Sequence, residues 1–146
     1  MMRFIYAGLW MAVVCLASLY FCGDALAIGQ PQYVQSVASA GSFPIVQGNR
    51  AAVLWVDSED WPGVIRAAGD LRADIARVTG RETAVSTDRA RLEGKAIIIG
   101  TVGKSRVIDE LVRAGKIDVR GIAGKWETFF LQVVPNPLPG VSAALV

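Results

Sequence analysis

The sequence predicts an α/β domain, a small sheet with helices packed on it, behind a segment that directs export. Three observations carry this. Two continuous apolar runs of strand length, Ala51–Val56 (AAVLWV) and Ala96–Ile99 (AIII), have the pattern of strands covered on both faces. Each is followed by a stretch with helical spacing of apolar residues. The chain also opens with a charge-free apolar run, Phe4–Gly23, between Arg3 and Asp24-Ala25-Leu26-Ala27. A basic start, an apolar stretch and an Ala-x-Ala end predict a secretory signal peptide over 1–27, cleaved after Ala27. A retained membrane anchor is the alternative, because the run approaches the ~18 apolar residues that span a bilayer. Either way the chain is exported, to a periplasmic or extracellular location.

With 146 residues there is room for one domain. Arg3 and Asp24 leave together with the leader, so the net charge remains +2. That small excess argues against a nucleic-acid partner, which would normally show a clustered basic face. Both cysteines, Cys15 and Cys22, lie in the leader, so the mature part depends on its apolar core without a disulfide.

The elements follow in order. Residues 28–42 (IGQPQYVQSVASAGS) are polar and aperiodic and read as a linker, and 43–146 as the domain. Phe43–Val46 suits an edge strand because Pro44 bars it from the sheet centre, and Gln47-Gly48-Asn49 is a turn. After the strand Ala51–Val56, Asp57-Ser58-Glu59-Asp60 offers caps and first-turn acids for a helix. Pro62 suits that helix's first turn, and Gly80 its end. Val64, Ala68, Leu71, Ile75 and Val78 form its apolar stripe, with Arg66–Asp70 as an i,i+4 ion pair. Glu82–Thr87 is a further strand and Asp88–Gly94 a turn. Ser105 caps a second helix carrying Val107, Ile108, Leu111 and Val112, closed by Gly115. Thr128–Val134 alternates as a strand, with Phe129, Leu131 and Val133 on one face. Pro135–Gly140 is a turn excluded from the sheet, and Ser142–Val146 opens a last strand that is expected to be unpaired. The order strand, helix, strand, strand, helix, strand is βαββαβ.

The absence of histidine removes Ser-His-Asp triads and His-based metal sites, and the lack of mature cysteine removes thiolate chemistry. No catalytic, cofactor-binding or metal-binding residue is expected. Gly100-Thr101-Val102-Gly103-Lys104-Ser105 resembles the end of a phosphate-binding loop, but Ile98 stands where that motif needs its first glycine. A tight strand-to-helix turn capped by Ser105 is the preferred reading. The acids Asp57, Glu59 and Asp60 include candidates for one of the two carboxylates that glycoside hydrolysis requires, although helix capping accounts for them. Trp61 and Trp126 flank loops where an indole stacks on a sugar ring, against the commoner role of packing. Trp61, Trp126, Lys104 and Ser105 are therefore the candidate glycan or interdomain contacts.

Taken together, Phe43-Pro44-Ile45, Val56–Gly80, IIIGTVGKS (Ile97–Ser105), GKIDV (Gly115–Val119), GKWE (Gly124–Glu127) and NPLPGV (Asn136–Val141) resemble the N-terminal domain of glycoside hydrolase family 115. The resemblance implies a β-hexosaminidase domain-2-like accessory domain, preceding a (β/α)₈ barrel that holds the catalytic carboxylates. The implied activity is that of an inverting α-glucuronidase releasing (4-O-methyl)glucuronic acid from glucuronoxylan, with no metal or nucleotide cofactor. The catalytic domain is absent from this chain, so polysaccharide is a partner only through that domain and the chain alone is expected to be inactive. The alternatives are a stand-alone secreted polysaccharide-binding module and a membrane-anchored interaction module. Oligomeric state is not legible.

Overall fold

A computed structural model describes residues 34–146. The signal segment 1–27 and the first part of the linker, 28–33, lie outside the described residues. The rest of the linker, 34–42, is exposed and irregular.

The chain first makes a small hairpin from β1 (Val46–Gln47) and β2 (Arg50–Ala51), turned by Gly48 at φ 60°. The apolar run Phe43–Val46 is thus a hairpin arm outside the main sheet. Then follow β3 (Val53–Val56), α1 (Pro62–Thr79), β4 (Val85–Ser86), a 3₁₀ turn (Arg89–Arg91), β5 (Gly94–Ile99) and α2 (Arg106–Arg113). A hairpin of β6 (Val133–Pro135) and β7 (Val141–Leu145) completes the order. The main sheet is β4-β3-β5-β7-β6, with the first four strands parallel and β6 antiparallel to β7. The fold is therefore mixed α/β, with a five-stranded mixed sheet and two α-helices among the described residues. None of these helices is long and apolar enough to cross a membrane.

Alternation along the central strands sends neighbours to opposite faces. Trp55, Ala96, Ile98 and Ala144 pack with Val107, Ile108 and Leu111 of α2. Leu54 and Ile97 pack with Ile75 and Leu71 of α1 and with Phe43, Ile45 and Val46 of the hairpin arm. One helix thus covers each face, which is why β3 and β5 read as unbroken apolar runs.

The two helices end as their residues require. Gly80 takes φ 66° and its N–H donates to Ala76 O at 2.8 Å. Gly115, also at φ 66°, follows the last turn of α2. Arg89 of the 3₁₀ turn forms a two-pronged ion pair with Glu110 of α2, which holds the Glu110 carboxyl below its ordinary range.

Several expectations are corrected. Val78 is exposed in the last turn of α1, so the buried stripe of that helix ends at Ile75. The ion pair on α1 joins Arg77 to Asp74 rather than Arg66 to Asp70. Pro135 is not outside the sheet: it is the last residue of β6, opposite Ala143. An edge strand tolerates it because its missing N–H has no ladder partner to serve. The final strand is not unpaired, since β7 lies between β5 and β6 and is bonded to both. Of the expected strand 128–134, only its end is assigned to β6, yet Gln132 and Val146 exchange N–H···O bonds of 2.9 Å ahead of it.

Leu54 is fully buried between α1 and the sheet. Leu54→Ala is expected to lower unfolding stability by about 2–5 kcal/mol, measured as a reduced urea midpoint with an unchanged slope.

Candidate functional site

The connections after β3 and β5 diverge to opposite faces of the sheet, so the carboxyl ends of these two strands form the crevice where open α/β sheets usually bind ligands. Residues 57–61 and 100–106 line it. It holds three of the four candidate residues: Trp61, Lys104 and Ser105.

Its geometry is set by two carboxylates. Asp57 follows the last residue of β3 and is fully buried. It accepts from the main-chain N–H of Arg106 at 3.0 Å, and from Arg106 Nε and Nη2 at 3.1 Å each. The N–H of Glu59 donates to it at 3.1 Å. Asp60, also buried, accepts from the N–H of Trp61 and the N–H of Thr101, both at 2.7 Å. These acids were expected to cap α1. They instead bind across to the β5–α2 turn, because the ends of β3 and β5 are adjacent. Helix α1 starts without a side-chain cap at Trp61, and Pro62 lacks the N–H that a cap would satisfy.

The Arg106 guanidinium holds the Asp57 carboxyl at about 2, below its ordinary value, against an opposing push from burial. The paired Arg106 is stabilised as a cation in turn. Asp118, exposed, is likewise brought to about 2 by its neighbour Arg120.

The turn resembling a phosphate-binding loop is satisfied from within. The Thr101 N–H serves Asp60, the Gly103 N–H serves Asp109 at 2.8 Å, and the Arg106 N–H serves Asp57. The N–H groups of Lys104 and Ser105 donate to Thr101 O at 3.0 and 2.9 Å. The places that an anion's oxygens would take are occupied by the protein's own carboxylates and carbonyl. Ser105 is fully buried and accepts from the Ile108 N–H at 3.4 Å, so its hydroxyl caps α2 as expected.

Trp61, about half exposed, stands at the rim with Lys104 Nζ 4.3 Å from its ring centroid. This cation–π contact forms the solvent-facing part of the crevice. Trp126 is 91% exposed in the turn before Phe129, away from these two loops in sequence. The structure thus brings Trp61 and Lys104 together, buries Ser105 and leaves Trp126 in solvent. Glu59 is exposed, and Glu127 sits at φ 51° in the Trp126 turn. Among the described residues, no three metal-ligating side chains converge. Chemically the crevice is a set of closed hydrogen bonds under an aromatic and cationic rim.

Sequence reading passed over Arg106 as a site residue. Its partner Asp57 lies 49 positions away, and no local spacing reports such a pairing.

Two outcomes follow from this geometry. A Cβ on Gly100 would lie 2.6 Å from Ser105 Cβ and 2.9 Å from Asp60 Oδ2. Gly100→Ala is therefore expected to cost about 1–3 kcal/mol, read by thermal unfolding. The Asp57 carboxyl titrates lower folded than unfolded, so its contribution is complete above about pH 4 and is lost as pH falls towards 2. Asp57→Asn should lower the unfolding midpoint at pH 7, with the gap to wild type closing between pH 4 and 2; a constant gap would exclude this role. The search for known relatives returns no matching family model and no matching curated protein.

Proposed function

We propose that this chain is the exported, non-catalytic N-terminal domain of a glycoside hydrolase resembling the family 115 α-glucuronidases. In this reading it supports a catalytic barrel that removes (4-O-methyl)glucuronic acid from glucuronoxylan. Residues 1–27 are its signal peptide, and the barrel, outside this chain, supplies the paired carboxylates.

The observation that carries the proposal is the work done by the segments that bear the resemblance. IIIGTVGKS forms the last three residues of β5 and the turn held by Asp57 and Asp60. GKIDV places Ile117 and Val119 in the core under α2. The Lys116 ammonium of that segment donates to Asn136 O and to Pro137 O at 3.0 Å, within NPLPGV. These motifs hold loops to one another, and the two buried acids of the crevice, Asp57 and Asp60, are committed to backbone N–H groups. That is the behaviour of a scaffold. A stand-alone polysaccharide-binding module is favoured by the two exposed indoles, Trp61 beside Lys104 and Trp126 in its turn.

Reading the gene past the codon for Val146 tests the proposal. The expected result is an open frame encoding a barrel with paired acids, whose product releases uronic acid from glucuronoxylan. A complete gene product lacking that activity overturns the reading. Heat on titrating residues 28–146 with glucuronoxylan would transfer the assignment to the binding module.

A further inference from the structure

We draw no further inference here: the strongest candidate, the exposed apolar patch of Phe129, Leu131 and Val133 on the β6 side of the main sheet, with Trp126 in the turn before it, carries nothing because nothing in the structure shows what covers it.

Discussion

The Asp57 carboxylate joins the end of β3 to the turn between β5 and α2, out of contact with water. A buried charge is tolerated only if its hydrogen-bonding capacity is met and an opposite charge is near. Both conditions are supplied from the neighbouring turn, by the first N–H of α2 and by the Arg106 guanidinium. The direction in which α2 leaves the sheet is therefore tied to the end of β3. Asp60 repeats the device with the Thr101 N–H. Because Ser105 and Asp60 fill the space above Gly100, only a residue without a Cβ fits there.

The same contacts define what the crevice can do. Its location, at the carboxyl ends of diverging parallel strands, is where a related architecture would place a phosphate or a dinucleotide. Here the first N–H of α2 and the Thr101 and Gly103 amides already hold carboxylate oxygens, and the Lys104 and Ser105 amides hold the Thr101 carbonyl. A loop with the glycine and lysine content of a phosphate site is thereby a structural joint, and only its rim, where Trp61 and Lys104 meet solvent, stays open.

Cover is uneven around the sheet. The face under α2 is closed by that helix, by Ile117 and Val119, and by the β6–β7 hairpin through Val134, Leu138 and Val141. On the other face α1 lies over β3 and β4, and Ile99 and Leu145 are only partly buried. Exposure increases towards β6 and culminates in Phe129. The apolar stripe and the free ladder edge thus coincide at one side of the molecule.

Much of this was legible in the residues themselves. Strands β3 and β5 announce themselves as apolar runs because both their faces are covered. Helix α2 is bracketed by Ser105 and Gly115, whose capping roles are local chemistry. The signals that held were local ones: the Ser105 cap, the Gly80 and Gly115 helix ends and the unbroken apolar runs of β3 and β5. The partners of Asp57 and Asp60, the burial of the last strand and the place of Pro135 were decided only by tertiary structure. Each depends on which strand lies beside which, and strand order is settled by how the whole apolar surface is best buried, a sum over contacts that no single segment contains.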